Sequence, residues 1–446
     1  MKWKPYPEYR ESGVEWLGDL PEHWQAKKGK LLGRLRGSVT PSDDELTEDV
    51  DGTPFVKVED LNTLDQSMRL TNSSARVKIT VPVRRLVLFP KRGAAIFTNK
   101  VAIAEHPIQF DSNLMGWEIF AHHEIRFVAH ALLTRRLDDL ADISTVPQIN
   151  NKHIEPAYFP VPPLLEQKSI AAFLDRETAK IDTLISKQGH LIELLQEKRQ
   201  ALISDAVTKG LNPDAPMKPS GVEWLGEVPA HWDVKPAKLL ARIGNGSTPN
   251  RDNPLYWDDS GYPWLNSSVV NQESVAQAER FVTPLALREC HLPKITPPAV
   301  LIGITGEGRT RGMATTLQME ATVSQHIVYV KPHSSIIETS FIRRVFDMAY
   351  QFLRYESEAG GSTKGAITCD LIAKLKIPVP PLAEQALILN HLNSKIGRMD
   401  ALIAKTETAI SLMREHRTAL ISAAVTGKID VRNHAHAYPL DELPDA

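Results

Sequence analysis

The sequence predicts an α+β fold in which two α/β domains are separated and joined by two long antiparallel coiled-coil helices, arranged as a pseudo-two-fold internal repeat. Residues 160–208 and 378–426 are identical at 24 of 49 positions without a gap, at a constant offset of 218 residues. Residues 12–18 (SGVEWLG) return unchanged at 220–226. Two units of this length are too few and too long for a solenoid of short repeats, so they indicate two similar halves.

Each half divides into a mixed part and a helical part. In the mixed parts, short apolar runs at 86–89, 101–104, 299–302 and 326–330 predict strands. The predicted segments are a first mixed domain at 1–160, a first helical spacer at 161–210, a second mixed domain at 211–378, a second helical spacer at 379–428 and a loose C-terminal tail at 429–446.

The two helical segments each carry an apolar heptad pattern for about four heptads. A Pro-Pro pair at 162–163 and again at 380–381 marks each helix start, and about 44 residues would span about 66 Å. An apolar stripe must be buried, and the repeated helix is the nearest partner, so we expect antiparallel pairing. The alternative is that each helix packs separately on its own domain. The predicted helix-pair interface comprises Leu174, Ile181, Ile185, Gln188, Ile192, Leu195, Leu202, Leu392, Met399, Ile403, Thr406, Ile410, Met413 and Leu420.

Two further features of the heptad pattern carry expectations. Leu184 and Leu402 stand beside the apolar stripe and are expected to widen it. Gln188 and Thr406 occupy equivalent positions near the middle of the two helices. A polar layer at this point would fix the register of the helices at some cost in stability.

The composition is that of an ordinary globular protein. Of 446 residues, 42% are hydrophobic and 24% are charged. The two cysteines, Cys290 and Cys369, lack metal-type spacing, which favours a reducing compartment. The first residues do not form a signal-peptide pattern, and no stretch approaches the roughly 18 uncharged apolar residues of a membrane span. We therefore expect a cytoplasmic protein without a membrane partner.

The charge distribution gives a mixed indication about nucleic acid. A net charge of -2 argues against a free-standing nucleic-acid binder. The stretch 66–104, however, contains eight basic residues and no acidic residue. Such a run is either a solvated surface or an electrostatic footprint for phosphates, and composition alone leaves both open.

The motifs of self-contained catalysis are missing from the sequence. The stretch 303–308 (GITGEG) lacks the Lys-Ser/Thr of a P-loop, and its glycine spacing differs from a dinucleotide fingerprint, so we expect a turn between strands. Residues 253–256 (NPLY) resemble the catalytic loop of amino-methyltransferases, but Leu255 replaces the second proline of that loop. We predict no catalytic residue, no cofactor and no metal site.

With these motifs in this order, the chain resembles the specificity subunit of a type I restriction–modification enzyme. Each motif alone is weak, but four placed symmetrically are specific and together cover most of the chain. The resemblance rests on residues 12–18 with Pro21 and Trp24, their copies at 220–232, the helix starts at 162–167 and 380–385 (PPLxEQ), and residues 199–203 and 417–421 (RxALI).

The resemblance implies a DNA-reading subunit without an active site. Such subunits have two target-recognition domains, each reading one half of a bipartite, asymmetric double-stranded DNA site. Their helices space the domains and dock two methyltransferase subunits, and restriction subunits join the complex. Methylation and ATP-dependent cleavage belong to these partners. The alternatives are a coiled-coil assembly scaffold without DNA affinity and a self-contained DNA methyltransferase or nuclease.

Basic residues in turns are the predicted DNA contacts, since phosphate and base-edge contacts both favour Lys and Arg. An ordinary surface charge is the alternative for each of them, because the family motifs concern the scaffold and not the DNA surface. The predicted DNA-binding residues are Arg84, Arg85, Lys91, Arg92 and Lys100 in the first domain and Arg309, Arg311 and Lys364 in the second.

Overall fold

The computed structural model places the chain in two compact units. The first consists of 1–190 and 406–446, and the second of 191–405. The structure describes residues 3–38, 41–42, 45–47, 52–62, 64, 68–70, 75–77, 85–142, 146–306, 308–359 and 365–434.

In the first unit, a mixed α/β region is followed by the start of a long helix. Strands β4-β11-β8-β9 form one four-stranded sheet, β10-β6-β7-β5 form another, and β12 pairs with β3. The elements are β1 (Tyr9–Glu11), β2 (Asp19–Pro21), β3 (Gln25–Lys28), β4 (Gly33–Arg36), β5 (Leu46–Thr47), β6 (Thr53–Val56), β7 (Ala75–Val77), β8 (Leu86–Pro90), β9 (Ala102–Ala104), β10 (Gln109–Phe110), β11 (Leu114–Ile119), α1 (Ile125–Arg135), α2 (Leu137–Leu140), α3 (Asn151–Ile154), β12 (Tyr158–Val161) and α4 (Leu164–Lys209), whose later residues belong to the second unit.

The second unit repeats this plan, with five strands in its main sheet. Its main sheet has the order β16-β23-β20-β21-β18, a smaller one has the order β19-β17-β22, and β15 pairs with β24. The elements are β13 (Met217–Pro219), β14 (Glu227–Pro229), β15 (Asp233–Pro236), β16 (Ala241–Asn245), β17 (Trp257–Leu265), β18 (Ser274–Val275), β19 (Arg280–Val282), α5 (Pro284–Glu289), β20 (Ala299–Gly303), β21 (Ala314–Leu317), β22 (Thr322–Val323), β23 (Ile327–Pro332), α6 (Thr339–Ala359), α7 (Cys369–Lys374), β24 (Lys376–Val379) and α8 (Leu382–Val425), whose later residues belong to the first unit.

Within the first unit, segments of α4 and α8 run antiparallel. Trp24 bonds to Glu166 at the start of α4 and lies against Gly427, just beyond the end of α8. Further along α4, Asp182 forms an ion pair of 2.9 Å with Arg417, further back in α8. Residues of both helices share one apolar core with the N-terminal strands.

Within the second unit, the remaining segments of the two helices are also antiparallel. Gly210, just beyond the end of α4, lies against Trp232 and the Glu384 carboxylate at the start of α8. Arg199 in α4 forms an ion pair of 3.3 Å with Asp400 in α8. In each unit the helices share a core, and the predicted fold class is confirmed.

The apolar stripe of the helices is narrower than expected. All fourteen predicted interface residues are buried or half-buried. The side chains of Leu184 and Leu402, however, are 50% and 43% exposed, so the expectation that they widen the stripe was wrong. Among the described residues, no helix is long and apolar enough to cross a bilayer.

The segment after α8 begins as a packed structure and not as the loose tail we expected. Ile429 and Val431 are buried, and the backbone N–H of Asp430 donates to the Lys4 carbonyl at 2.7 Å. These residues close the apolar core of the first unit. The later part of the predicted tail, 435–446, lies outside the described residues.

Candidate nucleic-acid interface

The repeated tryptophan and the repeated helix-start glutamate contact one another in the first unit. Trp24 Nε1 donates to Glu166 Oε1 at 3.1 Å, and the Tyr6 hydroxyl donates to the same oxygen at 2.6 Å. His23 Nε2 lies 2.8 Å from Glu166 Oε2. Burial and the bond to Glu166 raise the pKa of Tyr6, which keeps this hydroxyl a neutral donor.

The second unit builds the same contact from the repeated residues. Trp232 Nε1 donates to Glu384 Oε2 at 3.0 Å, and His231 Nε2 lies 2.8 Å from that oxygen. The distant sequence motifs of each half therefore meet in space and fix the start of each long helix. They are scaffold contacts.

The glutamine after each of these glutamates ties the helix start to the mixed region. Gln167 Nε2 donates to the Pro162 carbonyl at 2.8 Å, and its Oε1 accepts the Glu124 N–H at 2.9 Å. Gln385 makes equivalent bonds at 2.8 Å to the Pro380 carbonyl and from the Glu338 N–H. The side-chain amide thus positions the helix that begins after Glu124 or Glu338 in each unit.

Each mixed region is closed at its base by the same backbone bond. The N–H of Gly29 donates to the Ala157 carbonyl at 2.8 Å, and the N–H of Ala237 donates to the Leu375 carbonyl at 2.8 Å. We call residues 29–157 the first head and residues 237–375 the second head. We call the repeated strands and helices outside the two heads the scaffold.

At one end of the sheet in the first head, the residues after β8 and before β11 form a junction. We call residues 91–92 and 111–113 the first junction. Backbone hydrogen bonds hold it in place: Lys91 N to Asn113 O (2.7 Å), Ile149 N to Lys91 O (2.9 Å), Leu114 N to Asp111 O (2.9 Å) and Asp111 N to Val56 O (2.9 Å).

The second head has the same junction after β20 and before β23. It comprises residues 304–305 and 324–326, the second junction. Its bonds correspond one to one: Ile304 N to His326 O (3.0 Å), Ile367 N to Ile304 O (2.9 Å), Ile327 N to Ser324 O (3.2 Å) and Ser324 N to Leu265 O (2.9 Å). By this correspondence Lys91, Arg92, Ser112 and Asn113 match Ile304, Thr305, Gln325 and His326.

Two residues of the first junction have exposed side chains, Arg92 and Asn113. The Arg92 guanidinium forms no hydrogen bond or ion pair with any residue that the structure describes. Asn113 also lines an open cleft of about 470 Å³, whose charged lining residues are Lys57, Lys100, Glu59 and Asp111. At the first junction Lys91 and Arg92 outnumber Asp111, so the junction has a net positive charge, and Arg92 and Asn113 make it accessible.

The second junction contains no Lys, Arg, Asp or Glu, and its polar side chains are hydrogen-bonded to one another and to Thr248. Thr248 Oγ1 donates to Gln325 Oε1, and Gln325 Nε2 lies 3.1 Å from His326 Nε2. His326 Nδ1 lies 2.9 Å from Thr305 Oγ1. The side chains of Gln325 and His326 are exposed, so this chain of contacts lies at the surface.

The predicted DNA contacts of the first head fall into two groups. Lys91 and Arg92 lie at the first junction. Arg85 is half-buried and donates from Nη2 to the His123 carbonyl at 2.6 Å, and Lys100 donates to Asn62 Oδ1. Arg84 lies outside the described residues. Contact with DNA stays a prediction for all five.

In the second head, two predicted contacts close together in sequence differ in exposure. The Arg309 side chain is exposed on the turn after β20. Arg311 is 5% exposed, donates to the Gly365 carbonyl at 2.9 Å and forms an ion pair with Glu358. Its guanidinium therefore has internal partners. Lys364 lies outside the described residues.

The sequence did not point to the polar residues of the junctions. Ser112, Asn113, Thr305, Gln325 and His326 were missed because only positive charge was weighed. The signal present in the sequence was a pair of polar residues immediately before a buried strand, at 112–113 and at 325–326. Their convergence with 92 and 305 needs the long-range strand pairing.

A second charged cluster in the second unit has a structural role. Glu273 accepts from Arg343 at 2.8 and 3.0 Å, and Arg343 and Arg344 both lie beside Asp347. Burial alone would raise the pKa of the Glu273 carboxyl. The hydrogen bond from Arg343 and the nearby positive charges together outweigh burial, so the pKa lies below its ordinary value. Within the described residues, no group of three or more His, Cys, Asp or Glu side chains is placed to hold a metal ion.

Known proteins place the chain in a family. Residues 21–194 and 229–411 match the type I restriction modification DNA specificity domain. The specificity subunit of the type I restriction enzyme MjaIX from Methanocaldococcus jannaschii is 21% identical over 454 residues, covering 97% of this chain and 98% of the relative. The putative MjaX specificity subunit of the same organism is 22% identical, covering 93% and 96%.

Solved structures share the fold. A chain from work on complex assembly and conformational transition of the type I R-M system has a TM-score of 0.72 at 14% identity, covering 92% of this chain and 99% of that chain. The HsdS subunit from Thermoanaerobacter tengcongensis has a TM-score of 0.51 at 15% identity, covering 92% and 98%. The two family matches coincide with the two halves of the repeat, and the chain belongs to the type I restriction–modification DNA specificity family, as a non-catalytic specificity subunit.

Proposed function

We propose that this chain selects the DNA site of a type I restriction–modification enzyme, each head reading one half of a bipartite, asymmetric site. The observation that carries the proposal is the pair of junctions: one backbone arrangement, two different sets of exposed hydrogen-bonding side chains. Base edges are distinguished by such groups, whereas phosphate contacts only position the protein. Unlike heads on a repeated scaffold suit a target with two unlike halves.

The long helices act as the ruler between the half-sites. They have 46 and 44 residues and share a core in each unit. One added heptad would lengthen a helix by about 10 Å, which corresponds to about three base pairs of duplex. Matched insertions in both helices should lengthen the preferred gap, while an insertion in one helix should break the pairing.

The helices also dock the partner subunits, two methyltransferase subunits and then restriction subunits. Leu184 and Leu412 in the first unit and Leu402 and Leu194 in the second are 43–59% exposed. These leucines are equivalent pairs, because 184 and 402, like 194 and 412, differ by 218. Exposed apolar residues that recur with the repeat favour one partner per unit. We place the complex in the cytoplasm with the DNA.

The proposal is tested by sequencing methylated adenines in cells with and without this chain, in the presence of its methyltransferase partner. We expect a bipartite motif that depends on this chain. Methyl transfer by the purified chain alone with S-adenosylmethionine would favour a self-contained enzyme. Equal affinity of the assembled complex for all duplexes would favour an assembly scaffold without sequence choice.

A further inference from the structure

We propose that the two junctions are the base-reading elements of the heads, with Arg92 and Asn113 reading in the first half-site and Gln325, oriented by Thr248 and His326, reading in the second. This inference rests on the proposed function and names the residues that carry it out. It separates base-reading residues from those basic residues, such as Arg311, that already serve the fold.

The hydrogen-bond chain of the second junction has one consistent direction. The Gln325 amide nitrogen can only donate, so His326 Nε2 must be the acceptor across 3.1 Å. The imidazole proton then lies on Nδ1 and points to Thr305 Oγ1 at 2.9 Å. Gln325 Oε1 meanwhile accepts from the Thr248 hydroxyl. Thr248 and His326 therefore fix the amide plane of this exposed side chain, and Thr305 in turn holds the His326 ring.

This arrangement leaves Gln325 with a defined reading edge. A primary amide has two N–H donors and two acceptor lone pairs. One donor is used on His326 and one lone pair on Thr248, so one of each stays available. An adenine presents one acceptor (N7) and one donor (N6) in the major groove, and glutamine pairs with both. The second junction is therefore matched to an A·T pair.

The first junction carries the chemistry of a different base. Arg92 takes the place of Thr305, and its guanidinium is exposed and has no partner among the described residues. Arginine pairs with the two acceptors of guanine, O6 and N7. Asn113 takes the place of His326, its side chain is exposed, and its carbonyl accepts from the N–H of Lys91, the residue before Arg92. We therefore assign a G·C pair to Arg92 in the first half-site.

The burial pattern explains why these positions are free to specify bases. The strands that end at each junction, β8 and β20, are buried at every residue, and the four backbone hydrogen bonds described above hold each junction in place. Folding uses the backbone at these positions and leaves the side chains exposed. A change of side chain here alters the surface without altering the core.

The test uses the full chain assembled with its methyltransferase partner and a randomised duplex library, with methylated sites read by sequencing. Gln325→Ala should relax one A·T position of one half-site by about tenfold to a hundredfold and leave the other half unchanged. Arg92→Ala should relax one G·C position in the opposite half. Gln277→Ala and Arg34→Ala, exposed positions away from the junctions, should leave the motif unchanged.

The orienting role of Thr248 has its own readout. Thr248→Ala should relax selection at the same base pair as Gln325→Ala. Thr248→Ser keeps the hydroxyl and should retain the wild-type selection at that base pair. If both junction variants leave the motif intact, or weaken methylation equally at all sites, the assignment of base reading is overturned. If the wild-type complex itself yields no bipartite motif, the proposed function fails first, and the two failures are distinguished.

Discussion

The two heads share a frame and differ in the chemistry that the frame presents. The same four backbone bonds hold both junctions. In the first head they carry Arg92 and Asn113; in the second they carry Thr305, Gln325 and His326. The supporting parts also differ, since the main sheet has four strands in the first head and five in the second, and the helix after each sheet has 11 and 21 residues.

The difference shows how one scaffold tolerates two surfaces. The contacts repeated between the units involve main chain, the helix-start glutamates and glutamines, and the buried tryptophans. The five junction residues named above lie on backbone held by the same four bonds, and all of them except the half-buried Thr305 are exposed. If the junctions read bases as we propose, stability and choice of target are carried by different atoms. Substitution of the repeated scaffold residues and, separately, of the junction residues distinguishes these two roles.

The largest expected difference between the units concerns the helix-start glutamates. Glu166→Ala removes the acceptor of the buried Trp24 N–H and Tyr6 hydroxyl, and we expect a loss of about 4 kcal/mol, at 1–3 kcal/mol per buried unpaired group. Glu384→Ala leaves one buried donor, Trp232 N–H, and should cost about 2 kcal/mol. Hydrogen exchange resolved by peptide measures the unfolding free energy of each unit.

Glu166→Gln and Glu384→Gln are the matched controls for this comparison. Glutamine keeps one acceptor oxygen, so each control should recover part of the protection lost in its alanine variant. Tyr6 donates to Glu166, whereas the contact described for Glu384 has no tyrosine donor. An equal loss of unfolding free energy in the two units after alanine substitution would therefore contradict the role given to Tyr6.

The next difference is a pH-dependent contribution from His123, a residue of the first unit. Burial, followed by repulsion from His122 and Lys27, lowers the pKa of His123 to about 4. The unfolded chain has the ordinary value near 6.5. Between these values the unfolded state binds the proton, so this contribution is complete above pH 6.5 and is lost as the pH falls towards 4. The loss is at most about 3 kcal/mol.

The second unit has Ile337 at the equivalent place, because Glu124 and Glu338 follow these residues and donate to Gln167 and Gln385. The variant His123→Ile should therefore remove this part of the acid sensitivity of the first unit. Unfolding of each unit followed from pH 7 to pH 4 checks the sign. An unchanged pH profile in the variant would show that other groups cause it.

A smaller effect separates two arginines of the second head. Arg311→Ala should lower the unfolding free energy of the second unit by about 2 kcal/mol, because the Gly365 carbonyl and Glu358 lose their partner. Arg309→Ala changes an exposed side chain and should alter stability by less than about 0.5 kcal/mol. DNA affinity of the assembled complex should fall for Arg309→Ala without loss of stability. The reverse pattern would mean that the two roles are exchanged.

The smallest expected effect concerns partner docking. Leu184→Ser and Leu402→Ser should each weaken binding of one methyltransferase subunit by about 1 kcal/mol, the value expected for partial loss of apolar burial. Unfolding free energies should stay within about 0.5 kcal/mol of the wild type. Titration of the partner into the purified chain measures both steps. Unchanged affinity in the double variant would place docking elsewhere.

Local patterns were sufficient to predict much of the fold. The Pro-Pro pairs fix the helix starts, with α4 beginning at Leu164 and α8 at Leu382. The apolar runs at 86–89 and 299–302 are the confirmed strands β8 and β20. These features depend on the backbone restriction of proline and on apolar residues next to turn residues, both of which act over a few positions.

The surface of the heads could not be predicted in this way. The position of two arginines on a turn does not show that Arg311 is buried while Arg309 is exposed, since the burial of Arg311 depends on Glu358, 47 residues away in sequence. The junctions bring 91 beside 113 and 305 beside 326 only after β8 pairs with β11 and β20 pairs with β23. Unlike the helices, the heads keep no constant offset, so their equivalent residues could not be aligned by position.

Independent reading by two interchangeable heads is tested most directly by a graft. Residues 237–375 are replaced by a copy of 29–157, joined at the equivalent base bonds, and the methylated motif of the assembled complex is sequenced. We expect both halves of the new motif to carry the base sequence that the first head reads. A motif that keeps the original second half would contradict the proposal that each head reads its own half-site, because residues outside the graft would then read that half.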